Sequence, residues 1–141
     1  MSWNANPFQN TQRAALAYAQ VGVETGVASA DPHRLVLMLY DGALKCLAEA
    51  RGQMARRDIA AKGASLSRAL RIIDEGLTAS LDETAGGELA GQLKELYVYM
   101  GRRIMLANLR NDPALLDEVA RLLGELRQAW EAIGARAAAK E

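Results

Sequence analysis

Along most of this 141-residue chain, apolar side chains recur at alternating intervals of four and three, in four successive stretches with almost nothing between them. That spacing follows the 3.6-residue turn of an α-helix, so each stretch carries one continuous apolar stripe. Val36, Tyr40, Ala43, Leu47, Ala50 and Met54 trace the first stripe. It opens at Asp31, whose carboxylate can cap free backbone N–H groups, and at Pro32, which suits a first helical position where no amide donor is needed. The spacing predicts a helix over 32–56. A second, over 58–80, keeps Ile59, Leu66, Leu70, Ile73 and Leu77 on one face. The loop 82–87 leads to a third, over 88–111, with Leu89, Leu93, Leu96, Met100, Ile104 and Ala107; Asn111-Asp112-Pro113 breaks it. The fourth, over 113–133, is the most regular, with Leu115, Val119, Leu122, Leu126, Ala129 and Ile133.

Helices of this length are about 30–38 Å long at 1.5 Å rise per residue, and very short joints force neighbours to run antiparallel. The expected fold is therefore all-α, an up-down-up-down four-helix bundle over 31–134. Residues 1–30 differ in kind: polar residues and glycines dominate, with Trp3, Phe8 and Tyr18 as isolated large groups. They are expected to form an arm, with a short helix around 11–20 that Gly22 and Gly26 do not continue. The tail 135–141 carries no apolar seam and is expected to fray.

Composition narrows the function. The 17 basic and 17 acidic residues cancel, so no long-range positive field draws nucleic acid or an anionic membrane. No run approaches the 18 or so uninterrupted apolar residues of a membrane span. Cys46, the single cysteine, cannot form an internal disulfide, and no secretory leader opens the chain; both point to a reducing cytoplasm.

Groups able to carry chemistry are few. His33 is the one histidine, which excludes the Glu-x-x-His pairs of di-metal bundles. It could in principle accept a phosphoryl group as phosphotransfer bundles do, but it sits in a helix's first turn beside Pro32. The plainer reading is a helix-start residue hydrogen-bonded to its surroundings. Cys46 has no basic neighbour on its own face and reads as packing. Asp41, Asp74, Glu75, Asp82, Glu83 and Glu88 show no pairing beside an apolar pocket. Gly86-Gly87 precedes a helix as an anion site would, but no Lys-Ser or Lys-Thr follows, and Glu88 would repel phosphate. No catalytic, metal or cofactor site is expected, and the chain does not read as an enzyme.

Helices one and four nonetheless hold more apolar residues than one seam uses. Leu35, Leu39 and Cys46 flank the first stripe, and Leu116, Leu123 and Trp130 repeat at intervals of seven beside the fourth. Either the core is wide, since ordinary bundles use a three-in-seven face, or a groove for an amphipathic partner helix is open. A bundle that merely dimerises would bury the same surplus against a second copy of itself.

Several short motifs occur in an order that resembles the FliS family of flagellar secretion chaperones. They are Ser29-Ala30-Asp31-Pro32-His33-Arg34-Leu35 with Met38-Leu39-Tyr40-Asp41-Gly42-Ala43, then Gly86-Gly87-Glu88-Leu89, Leu96-Tyr97-Val98-Tyr99-Met100, Ala107-Asn108 and the run from Leu122 to Trp130. The resemblance covers about residues 18–133; it departs at Asp31, where the family commonly has Ser, and in a longer segment at 25–28. It implies a cytoplasmic chaperone that binds the disordered C-terminal segment of flagellin, prevents premature polymerisation and docks on the export-gate protein of the flagellar type III apparatus. Tyr18 matches an N-terminal tyrosine of the family, and the arm around it is expected to fold back over part of the groove when flagellin is absent. The expected flagellin-binding groove is Tyr18, Leu35, Leu39, Leu116, Leu123 and Trp130, with a homodimer possible in the free state.

Overall fold

The computed structural model describes residues 31–140, the last five of them as backbone alone, and every helix in it starts on an aspartate. The Asp31 carboxylate accepts from the Arg34 N–H at 2.8 Å and opens α1, Pro32–Ala55. Asp58 accepts from the Ala61 N–H at 3.2 Å and opens α2, Ile59–Arg71. Asp82 accepts from the Thr84 and Ala85 N–H groups, each at 3.1 Å, ahead of α3, Glu83–Arg110. Asp112 accepts from the Ala114 N–H at 3.0 Å ahead of α4, Pro113–Lys140. Each carboxylate satisfies amide donors that the first turn leaves free and places negative charge at the positive end of the helix dipole. The arm expected over 1–30, with Tyr18, lies outside the described residues.

The joints are as short as the sequence implies. α1 ends on Arg57 at φ 57°, with the Asp58 N–H donating to the Gln53 carbonyl at 3.0 Å. α3 ends on Asn111 at φ 53°, with the Asp112 N–H donating to the Ala107 carbonyl at 3.1 Å. Both are left-handed C-terminal caps with the long return bond that closes them. The chain then reverses, so the four helices run up, down, up and down; α1 packs on α2 and α4, and α3 packs on the same two from the other side.

Three boundaries differ from the sequence reading, each for a local reason. The second helix does not finish as a plain α-helix: from Ile72 to Thr78 it is π-helical, and the Ala79 N–H reaches five residues back to the Asp74 carbonyl at 3.2 Å. In this segment Gly76 lies so close to Leu39 that a Cβ there would stand 2.8 Å from Leu39 Cδ2. The third helix opens with a single turn over 83–86, joined to the rest through a kink at Gly87, φ 56°, ψ −133°. The fourth runs on through Gly134 to Lys140 instead of stopping at 133, since the end beyond Gly134 is Ala-rich, has high helix propensity and holds no proline.

Gly87 occupies a region of backbone space that a Cβ disfavours, although open space surrounds it. Gly87→Ala should therefore lower stability by about 1–3 kcal/mol through strain alone. Gly91→Ala, one turn on, has equal room and ordinary helical geometry and should raise stability by about 0.5–1 kcal/mol. Denaturant unfolding of the two variants measures the contrast; equal effects would refute the assignment of strain to Gly87.

The core fills the space between the helices with Leu39, Leu47, Leu66, Met100, Ile104 and Leu123, all fully buried. At its centre the Tyr40 and Tyr97 hydroxyls share a hydrogen bond of 2.6 Å. Burial pushes the Tyr40 phenol up to about 12, and burial together with Tyr40 holds Tyr97 well above its ordinary value, so both stay neutral. Tyr40→Phe orphans the Tyr97 hydroxyl and should cost about 1–3 kcal/mol, whereas replacing both by Phe should cost less than the single change. Equilibrium unfolding of the single and double variants decides the point.

Candidate functional site

Five of the six residues expected to line a partner groove are interior. Leu35, Leu39, Leu116, Leu123 and Trp130 all belong to the buried core cluster, and Tyr18 lies outside the described residues. The intervals of seven that set Leu116, Leu123 and Trp130 beside the α4 seam place them on the inward side of the helix. In the free chain a wide core accommodates the surplus of α1 and α4.

His33 and Trp130 form a reciprocal clasp between the start of α1 and the far part of α4. The His33 Nε2 lies 2.6 Å from the Trp130 carbonyl, the Trp130 indole N–H donates to the His33 carbonyl at 2.9 Å, and the rings stack with centroids 4.9 Å apart. The imidazole is thus a helix-start residue bonded to its surroundings, with its Nε2 engaged by a carbonyl rather than presented to a phosphoryl donor.

The open apolar surface lies on the opposite side of the bundle, between α2 and α3. Leu66 and Leu70 of α2, Ile73 of the π-helical segment, and Val98, Met105 and Leu109 of α3 line two hollows of about 560 and 350 Å³. Both hollows include Leu70, Arg102 and Met105, so they form one continuous groove. Its floor is close-packed: Leu70 lies over Gly101, where an added Cβ would stand 3.6 Å from Leu70 Cδ2. Its α3 wall is exposed to an unusual degree for large apolar groups, 83% for Leu109 and 63% for Met105. Contiguous apolar surface of this kind marks an interaction site more often than isolated exposed leucines do.

This wall exists because α3 carries two apolar stripes. Met100, Ile104 and Ala107 face the core, while Val98, Met105 and Leu109 recur at intervals of seven and four on a face turned towards solvent. This second stripe is legible in the spacing of Val98, Met105 and Leu109, as the surplus on α1 and α4 is.

The α3–α4 and α1–α4 seams are closed by charge instead. Glu118 accepts from the Tyr99 hydroxyl at 2.5 Å and from Arg103 Nε at 2.7 Å, and these two bonds hold its carboxyl below the usual range. Arg51 binds Asp117 through two nitrogens at 2.7 and 3.0 Å, and Arg127 binds Asp41 at 2.5 Å. Among the described residues no three His, Cys, Asp or Glu side chains come together as a metal would require, and no helix is long and apolar enough to cross a membrane. What the geometry offers is a surface for an apolar helix.

The family profile described as "Flagellar protein FliS" matches residues 14–137. The chain belongs to the FliS family. It is 50% identical to the flagellar secretion chaperone FliS of Salmonella typhimurium over 125 residues, 89% of this chain and 93% of the relative. The flagellar secretion chaperone FliSB of Pseudomonas aeruginosa is 47% identical over 121 residues, covering 86% of this chain and 95% of that one. Similarity extends to the flagellar secretion chaperone FliS of Bacillus subtilis, 36% identical over 120 residues and 85% of each chain. These FliS relatives are thus matched over most of their own length, and their names describe a chaperone, not a catalyst.

Proposed function

We propose that this FliS-family chain is a cytoplasmic export chaperone that holds the C-terminal segment of flagellin, keeps it from polymerising and delivers it to the flagellar type III export apparatus. The observation that carries this reading is the open α2/α3 groove on a member of a secretion-chaperone family. A segment disordered when free can fold into an amphipathic helix as it lies down there, burying its apolar face against Val98, Met105 and Leu109. Affinity is then the buried apolar area less the cost of ordering the segment, and no covalent chemistry is involved.

First contact belongs to the α2/α3 groove because it is open in the free chain. Leu35, Leu39, Leu116, Leu123 and Trp130 would meet the client only where the bundle parts, and the arm bearing Tyr18 would compete with flagellin for apolar surface. Docking of the loaded complex on the export-gate protein completes the cycle.

Calorimetric titration with a peptide of about 50 residues from the C-terminus of the flagellin of the same organism tests this. The expected result is a 1:1 complex with sub-micromolar affinity, a negative heat-capacity change and a gain of helical circular dichroism. A peptide that neither binds nor folds would overturn the reading.

A further inference from the structure

Among the described residues the groove has one cation without a counter-charge. Arg102 lines both hollows and is exposed, yet among the described residues no carboxylate lies within ion-pair distance of it. The neighbouring cations differ: Arg103 is held by Glu118, and Arg71 by Glu75 at 3.4 Å. The hollow nearer the α2 start has only Ser67, Arg102 and Asn108 as polar lining, with no acid. The hollow nearer the π-helical segment carries Asp74 together with the Arg71–Glu75 pair on its rim. Unpaired positive charge, that of Arg102, therefore stands at the middle of the groove, and unpaired negative charge, that of Asp74, at one end.

Length is constrained as well. Val98 to Leu109 spans about 16 Å at 1.5 Å per residue, the length of three helical turns. We infer that the α2/α3 groove selects a three-turn amphipathic helix of the flagellin segment that carries a carboxylate against Arg102, the pair fixing the register in which the helix lies down. This rests on the function proposed above and adds the chemical character of the client's helix. A helix slipped towards the π-helical end would take its carboxylate away from Arg102 and towards the unpaired Asp74, and be repelled. Apolar contacts alone would accept either register; charge at the rim adds specificity and speeds encounter more than it adds affinity.

The test is a charge swap read by calorimetry and stopped-flow binding with the same flagellin peptide. Arg102→Glu should weaken binding about tenfold at low salt, mostly through slower association, and Arg102→Gln should weaken it less. Changing the carboxylates of the peptide to lysine one at a time should yield one peptide that binds Arg102→Glu better than the wild-type protein. The whole effect should shrink at high salt. Wild-type binding that is unaltered in Arg102→Glu, or a scan with no rescuing peptide, would overturn the charge rule while leaving the chaperone reading intact. A wild-type protein that does not bind the peptide would overturn both. A wild-type protein whose groove is covered by self-association, seen as concentration-dependent sedimentation that Leu109→Glu abolishes, would show a second copy as the occupant and overturn the inference.

Discussion

Replacing Met105 and Leu109 together by glutamate should weaken binding of the flagellin peptide by about 100-fold or more and leave the melting temperature nearly unchanged. Each side chain is largely exposed in the free protein, so its loss removes little from the folded state. Each is buried only when a partner helix covers it, where a large apolar side chain contributes about 1.5–3 kcal/mol. Two such losses reach a factor of about 100 at 1.4 kcal/mol per tenfold, and burying two carboxylates against apolar surface adds to it. Calorimetry and a thermal melt on the same sample check both halves. Unchanged affinity would remove the α2/α3 groove from the client's path.

Leu39→Ala should do the reverse. Leu39 is fully buried and its Cδ2 packs against the backbone at Gly76, so the truncation leaves a cavity that neighbouring backbone cannot easily close. The expected loss is about 2–5 kcal/mol of folding free energy, with affinity for the peptide preserved at temperatures where the variant is folded. A Leu39→Ala variant with normal stability and weakened peptide binding would instead make Leu39 a contact residue, as the sequence reading expected. The two experiments together separate core from docking surface, a distinction that spacing alone does not make.

How far the sequence carries can be seen in particular residues. Asp31-Pro32 announced a helix start, and the four-three stripes placed Met100, Ile104 and Val119 in the core, because both signals are local or periodic and depend on little beyond the helix itself. The π-helical segment leaves no mark in the apolar spacing, and the close approach inside it, of Gly76 to Leu39, joins positions 37 apart in the chain. For a related reason the spacing does not tell whether Leu35, Leu39, Leu116, Leu123 and Trp130 line a groove or fill the core, where the structure buries them. A wheel gives the angle of a side chain about its own helix but not the distance to the next one. α1 lies close to α2 and α4, so surplus apolar residues there become core. Between α2 and α3 the second stripe of α3 stays open to solvent. The motifs shared with FliS chaperones pointed to the family and run through α1, α3 and α4; they take in Val98 of the groove wall but not Met105 or Leu109 on either side of Ala107-Asn108.

The widened turn at Ile72–Thr78 has a consequence for how such a chain can change its length. In a regular helix an added or deleted residue rotates everything beyond it by about 100°, turning core positions to solvent. A π-helical turn already holds one residue more than its α-helical counterpart, so the residues on either side, Leu66 and Ala69 before it and Ser80 and Leu81 after it, all remain buried. A one-residue deletion inside 72–78 can be absorbed by narrowing that turn, with the register of Leu66 and Ala69 before it kept and the joint over 79–82 after it taking up the rest. This stretch is where the bundle tolerates a change in residue count within a helix, and where an alignment gap between relatives would be structurally silent.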